Sequence, residues 1–258
     1  MRGQKKINPV VQLGFGKCPV CHGNSWELFE DTTDLYGAGT KVIFAKRCKN
    51  CAAIRRAQDE TGTPKEYYNA QYMQFDFAAY RIDMNKIHKI CDDLIKNFSV
   101  WEASGKGVYL WSRTPGSGKT FLSCCIAKTL MMKYDLQMRF VTEPDYLACV
   151  REGFSQERGA EDQSRVYREC RLLVLDDLGT QKDGEWMQQE MFRLINHRQE
   201  NQLMTIYTSN LEPEKLKLNS RTINRIMKST IVLQMPEQSI REEKARTEQE
   251  QFLNKILK

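Results

Sequence analysis

The sequence contains no apolar run that approaches the roughly 18 residues a helix needs to cross a bilayer. Its first residues carry charge but only a broken apolar stretch and no small-residue cleavage site. Internal repeats and low-complexity tracts are also absent. We therefore expect no secretion signal, no membrane partner and no repeat architecture, and we expect a cytoplasmic location.

The length and composition leave room for a sizeable core. With 258 residues, the chain allows one large domain, or a large domain and a small one. Hydrophobic residues make up 41% and charged residues 28% of the sequence, which is ordinary for a soluble protein. The formal net charge of +6 is compatible with a nucleic-acid partner or an acidic protein partner, and it distinguishes neither.

The nine cysteines form two groups. An odd number argues against a complete disulfide framework. Five are scattered among apolar or helical residues, where small buried side chains are expected: Cys91, Cys124, Cys125, Cys149 and Cys170. The other four form two C-x-x-C pairs that can face each other across a β-hairpin and hold a structural Zn²⁺: Cys18, Cys21, Cys48 and Cys51. In so short a module, folding and metal binding are expected to be one event.

The partner of this zinc module stays open at this point. Six basic residues surround its second half and fit contacts to a phosphate backbone: Lys41, Lys46, Arg47, Lys49, Arg55 and Arg56. Trp26 and Phe29 could stack on bases, although the alternate spacing of Trp26 and Leu28 is more typical of a hairpin core. Contact with a protein is the preferred interpretation.

A change of composition separates the two predicted domains. Residues 57–64 are polar and contain Gly62 and Pro64, as expected of a linker. We predict a zinc-ribbon module with a basic tail at residues 1–64 and a nucleotide-binding domain with a helical tail at residues 65–258. Aromatic residues cluster from position 67 onward, and apolar residues at helical spacing then predict an amphipathic helix within residues 81–98.

Short apolar runs then alternate with longer helical patterns. Strands are predicted at five places: residues 107–111, 138–142, 171–177, 203–210 and 230–235. The runs are almost continuously apolar, as strands buried on both faces should be. This alternation predicts an α/β fold with a five-stranded parallel sheet and helices on both faces.

The segment WSRTPGSGKT, residues 111–120, predicts a phosphate-binding loop between a strand and a helix. In such a loop, backbone N–H groups and the positive helix N-terminus hold the phosphates. Lys119 neutralises phosphate charge, and the Thr120 hydroxyl binds Mg²⁺. The predicted nucleotide-binding residues of the loop are Gly116, Ser117, Gly118, Lys119 and Thr120.

Arg113 occupies the first position of the pattern, where glycine is usual. A bulky residue fits there if its φ is negative. Since the phosphate contacts fall to residues 116–120, we expect the site to survive this departure.

Two further polar features end predicted strands. Asp176 and Asp177 close the run RLLVLDD, where the first acid suits a Mg²⁺ ion and the second can orient the attacking water. Asn210 closes the next strand and could hold that water. Acidic and polar residues also end strands simply as turn residues. Here they follow in order, each at the carboxyl end of its own strand, which favours a nucleotide site.

The segments YLWSRTPGSGKTFLS, RLLVLDDLG, LINHRQENQLMTIYTSNL and SRTINRIMKS together resemble the DnaC/DnaI-type replicative helicase loaders. These form a branch of the AAA+ ATPases that includes the IstB-type transposition helpers, and the resemblance spans about residues 65–241. It implies an AAA+ P-loop core that binds ATP, assembles with copies of itself and engages single-stranded DNA. It also implies slow hydrolysis stimulated by DNA or a partner, and a zinc ribbon that grips a hexameric DnaB-type helicase.

The resemblance assigns roles to three arginines. Arg225 matches the arginine finger that reaches a neighbouring subunit, with Arg221 as a competing candidate. Arg241 matches the second sensor, which binds nucleotide, although only a minimal lid follows the fifth strand. Asp177 stands where many AAA+ proteins have glutamate, so its reach to the water is shorter by one methylene.

The predicted function is ATP-dependent loading of a ring-shaped helicase onto single-stranded DNA in replication initiation. Two alternatives remain open. One is an IstB-like ATP-dependent transposition helper. The other is an adaptor that does not hydrolyse its bound ATP and acts through the zinc module.

Overall fold

The computed structural model describes residues 5–7, 26–33, 40–47, 61–155, 163–180 and 184–256. The chain divides into two compact units, Met1–Thr61 and Gly62–Lys258. The assignment of a zinc-ribbon module and a nucleotide-binding domain to these regions stays a prediction.

The first unit contains a three-stranded antiparallel sheet in the order β1-β2-β3, formed by β1 Lys5–Ile7, β2 Trp26–Thr33 and β3 Thr40–Arg47. The last two strands form a hairpin in which Trp26 lies opposite Arg47. The four cysteines of the two C-x-x-C pairs lie outside the described residues: Cys18, Cys21, Cys48 and Cys51. The zinc site therefore stays a prediction.

The second unit contains the five-stranded parallel sheet that the alternating pattern predicts. Its strands are β4 Gly107–Trp111, β5 Met138–Thr142, β6 Leu172–Leu178, β7 Met204–Ser209 and β8 Thr230–Gln234. Their order across the sheet is β5-β6-β7-β4-β8. The strand before the phosphate-binding loop, β4, is therefore an inner strand that lies between β7 and β8.

The helices of the described residues are α1 Asn85–Lys96, α2 Phe98–Ala103, α3 Lys119–Tyr134, α4 Glu143–Ser155, α5 Arg165–Glu169, α6 Glu185–Glu200, α7 Ser220–Ser229 and α8 Ile240–Ile256. The helices within residues 81–98, after β4, β5 and β6 and in the C-terminal tail are those that the sequence predicts, whereas α2, α5 and α7 were not predicted. Short 3₁₀ turns cover Lys65–Tyr67, Tyr72–Gln74, Phe77–Ala79 and Pro213–Lys215.

Helices cover both faces of the sheet, because successive strand residues enter different clusters. Val108 and Leu110 of β4 pack in one cluster with residues of α1 and α3. Tyr109 and Trp111 pack in the other with residues of α4, α6 and α7. This alternation is the period of two expected of a strand buried on both faces.

The predicted amphipathic helix is present as α1, and its Cys91 and Leu94 are fully buried. Phe98, which belongs to the same apolar pattern, begins α2 instead. None of the helices in the described part of the chain combines the length and the hydrophobicity needed to cross a membrane.

Candidate nucleotide-binding site

Two glycines allow the loop between β4 and α3 to turn tightly. Gly116 and Gly118 have φ values of +77° and +90°, which favour glycine. A Cβ atom on Gly116 would lie 2.7 Å from Ser239 Oγ, and one on Gly118 would collide with the Tyr80 hydroxyl. Both positions therefore need glycine for conformation and for space.

Lys119, the first residue of α3, lies inside this loop with 5% of its surface exposed. Its Nζ donates to the Ser112 carbonyl at 3.2 Å, the Thr114 carbonyl at 3.3 Å and Ser117 Oγ at 3.2 Å. Burial lowers the pKa of the ammonium group, and the nearby carboxylates of β6 oppose this shift. The loop thus surrounds one cationic group, an arrangement suited to phosphate.

Asp176 on β6 joins this strand to the loop. Thr120 Oγ1 donates to its carboxylate, with distances of 2.9 and 3.2 Å to the two oxygens, and Thr208 of β7 donates to Oδ1. Burial raises the pKa of Asp176 to about 6, and the hydrogen bond from Thr208 opposes this shift. A hydroxyl and a carboxylate side by side are oxygen ligands of the kind that Mg²⁺ uses together with nucleotide phosphates.

In the described part of the chain, no group of three or more His, Cys, Asp or Glu side chains is arranged to hold a metal ion. A Mg²⁺ ion that arrives with a nucleotide needs only one or two protein carboxylates, since phosphates and water complete its shell. Thr120 and Asp176 fit that smaller requirement.

Asp177 and Asn210 line a cavity of about 530 Å³ together with the phosphate-binding loop. Asp177 has φ +55°, and its backbone N–H donates to Thr208 Oγ1 at 3.0 Å. Asn210 follows the last residue of β7 directly. The structure therefore brings the ends of β4, β6 and β7 together at one edge of the sheet.

Arg241 also lines this cavity, at the start of α8. Its backbone N–H donates to the Gly116 carbonyl at 3.2 Å. Burial raises the pKa of the Tyr67 hydroxyl to about 12, while the nearby Arg241 guanidinium opposes this shift. The helix after the fifth strand thus reaches the loop.

Several residues that complete the cavity or support its loop belong to no motif of the sequence. Tyr67 and Phe121 line it, with ring centroids 5.7 Å apart, and Tyr80 donates its hydroxyl hydrogen to the Ser117 carbonyl at 2.8 Å. In the sequence, the aromatic cluster after residue 66 indicated that aromatic side chains gather in this region. Glu237 accepts from the Arg113 backbone N–H at 3.1 Å and gave no recognisable pattern.

Arg225 does not line this cavity. It lies on α7, where its Nε donates to Asn196 and its guanidinium lies 5.1 Å from the centroid of the Phe192 ring. Within the described residues, its terminal nitrogens make no hydrogen bond, and Arg221 is exposed. Arg225 is thus held at one nitrogen and open at the other two.

A family model described as "IstB-like ATP binding protein" matches residues 47–248. The chain belongs to this family. The match includes the whole parallel sheet and the phosphate-binding loop at its carboxyl edge.

This IstB-like protein is similar to the replicative helicase loader DnaI of Bacillus subtilis (strain 168), with 25% identity over 173 residues. The match covers 64% of this chain and 54% of DnaI, so the chain spans about half the length of that relative.

Among solved structures, the DnaC helicase loader is similar with a TM-score of 0.60 and 22% identity, over 67% of this chain and 100% of that one. The crystal structure of DnaI is similar with a TM-score of 0.56 and 20% identity, over 70% of this chain and 98% of that one. At these identities, the likeness shows the shared fold.

Proposed function

We propose that the protein binds ATP with Mg²⁺ in the cavity beside Lys119. The observation that carries this proposal is the hydrogen bond from Thr120 to Asp176, since it joins the phosphate-binding loop to the acid of β6. Lys119 and the loop N–H groups hold the phosphates. Bound Mg²⁺ would neutralise charge on the β- and γ-phosphate oxygens. Arg241 binds the nucleotide from the helix that follows the sheet.

Hydrolysis is the second part of the proposal. Asp177 orients the attacking water, and Asn210 holds it near the γ-phosphate, because both side chains line the same cavity as Lys119. Arg225 serves a neighbouring copy of the chain as an arginine finger. Its anchoring by Asn196 and Phe192 supports this role, because it fixes the guanidinium while leaving the two terminal nitrogens for a phosphate.

The test is an ATP titration and a hydrolysis assay with the full chain. Asp177→Ala is expected to bind ATP within about threefold of the unchanged protein and to hydrolyse it at least about 100-fold more slowly. Lys119→Ala is expected to weaken ATP binding by at least about tenfold. Lys133→Ala is the matched control, because Lys133 lies in the last turn of the same helix and donates to the Ile95 carbonyl instead. Absence of ATP binding by the unchanged protein contradicts the proposal.

We further propose that ATP binding serves to load a hexameric DnaB-type helicase onto single-stranded DNA. Similarity to the loader DnaI and the fold shared with the DnaC loader support this role. The expected results are ATP-dependent capture of the helicase by the purified chain and hydrolysis stimulated by single-stranded DNA. Failure of both contradicts the loader role.

The family description favours one competing function, an IstB-like transposition helper. This function would be supported if the chain captured a transposase but not the helicase, and if duplex DNA stimulated its ATP hydrolysis. If Asp177→Ala instead keeps full loading activity, the chain is an adaptor that does not need hydrolysis.

A structural Zn²⁺ ion completes the proposal for the first unit, held by four thiolates: Cys18, Cys21, Cys48 and Cys51. The register of the hairpin supports this assignment. Since Trp26 lies opposite Arg47, the segments that carry the two pairs join the hairpin at the same end. We infer that this module contacts the helicase.

A further inference from the structure

Glu143 is a fully buried carboxylate that belongs to none of the sequence motifs. It is the first residue of α4 and directly follows β5, with 0% of its surface exposed. Its Oε2 accepts the backbone N–H groups of Gly179 at 2.8 Å and Thr180 at 3.0 Å. A buried carboxylate is unfavourable unless it is well bonded, and these charge-assisted hydrogen bonds are strong.

The loop that Glu143 holds comes directly after the candidate catalytic acid. Leu175 lies opposite Tyr207 and Leu178 opposite Ser209, so β6 contains one more residue than β7 in this interval. Such a bulge redirects the side chains at its position. Asp177 lies within it and has φ +55°, a conformation that residues other than glycine adopt only where the surroundings hold them.

Asp177 therefore lies between two anchors. On its N-terminal side, the Asp177 backbone N–H donates to Thr208 Oγ1 at 3.0 Å. After it, Gly179 and Thr180 donate to Glu143. Gly179 has φ +89°, and a Cβ atom there would lie 2.8 Å from Leu216 Cδ2, so the second anchor also needs a glycine.

We propose that Glu143 is a positioning residue for Asp177. It holds the bulged turn so that the aspartate carboxylate, shorter than a glutamate, faces the cavity at a working distance from the attacking water. This inference rests on the proposed ATP hydrolysis.

The phosphate contacts lie on other elements. The described hydrogen bonds of Glu143 to the backbone involve the turn after β6, whereas Lys119 and Thr120 belong to α3. Loss of Glu143 is therefore expected to lower kcat and to leave ATP affinity nearly unchanged. A purely structural role would instead lower stability without changing the kcat of the folded protein.

The experiment compares Glu143→Ala, Glu143→Gln and Glu143→Asp in the full chain, with kcat, KM and ATP affinity measured separately. Glu143→Ala is expected to lower kcat about 10- to 100-fold, because a small displacement of a catalytic group has effects of that size, while ATP affinity stays within about threefold. Glu143→Gln keeps an oxygen acceptor at the same reach and is expected to recover most of kcat. Glu143→Asp keeps the charge with a shorter reach and is expected to fall between the two.

Asp145→Ala is the matched control. Asp145 lies in the first turn of the same helix and accepts from Thr142 Oγ1 at 2.7 Å, so its loss disturbs the start of α4 but leaves the Gly179 and Thr180 bonds. An unchanged kcat in folded Glu143→Ala overturns the inference, as does an equal loss of kcat in Asp145→Ala. If Glu143→Ala does not fold, Glu143→Asp with unchanged kcat overturns it. Absence of hydrolysis by the unchanged protein overturns the proposed function itself.

Discussion

Arg113 is accommodated at the start of the loop between β4 and α3 by contacts that do not involve residues 116–120, which are predicted to bind phosphate. The described non-glycine residues with positive φ are Asp135, Asp177 and Gln202. The φ of Arg113 is therefore negative, as a bulky residue at this position requires. Its guanidinium pairs with Glu212 at 2.7 Å. Its backbone N–H donates to Glu237, so the main chain at this position is held independently of the arginine side chain.

Replacing Arg113 with alanine is therefore expected to have a small effect. Its side chain is 65% exposed, and exposed ion pairs contribute about 0.2–1 kcal/mol to the free energy of unfolding. Urea denaturation should show a loss in that range, and ATP titration a change in affinity below about threefold, which is less than 1 kcal/mol. Glu237→Ala, which removes the carboxylate that holds the Arg113 N–H and the Thr114 hydroxyl, is expected to weaken ATP binding more. The reverse order would contradict this account of the loop.

Among the elements, α6 depends on one buried arginine near its end. Arg198 is 1% exposed, and burial lowers its pKa. Its guanidinium donates to Thr205 Oγ1 and to four backbone carbonyls, those of Tyr167, Arg168, Cys170 and Met204. These bonds fasten the helix to the start of β7 and to the segment that leads from α5 into β6.

Arg198→Ala is expected to lower the free energy of unfolding by at least about 3 kcal/mol, because several buried carbonyls lose their donor at once. Arg171→Ala is the comparison. Arg171 is likewise hydrogen-bonded through its guanidinium, with two bonds to Glu102 at 2.9 and 3.0 Å, but its side chain is 47% exposed. Its loss is expected to remain below about 1 kcal/mol. Chemical denaturation of both variants measures the difference, and equal losses would refute the role given to Arg198.

For the molecule as a whole, we expect the two units to depend on different sources of stability. The second unit has two buried hydrophobic clusters on the faces of its sheet. The first is short, and the two C-x-x-C pairs predict that a metal replaces a large core there.

Metal analysis of the purified full chain is expected to find about one Zn²⁺ per molecule, as a site with four thiolates requires. Cys48→Ser should lose most of it. Cys149→Ser is the matched control, because Cys149 lies on α4 and belongs to neither C-x-x-C pair. Zinc retained by Cys48→Ser, or lost equally in both variants, would exclude the predicted ligand set.

Much of this organisation follows from local pattern. Continuous apolar runs such as GVYLW predict buried parallel strands, and the residue types of GSGKT predict a phosphate loop, because glycine, lysine and threonine are needed there for backbone and chemical reasons. The order of the strands, the bulge at Asp177 and the anchors Glu143, Tyr80 and Glu237 depend on contacts between residues far apart in the chain. Single glutamates carry no periodicity or spacing, and the aromatic cluster after residue 66 does not tell which tyrosine reaches the loop, so only packing could reveal that these residues hold the loops of the site.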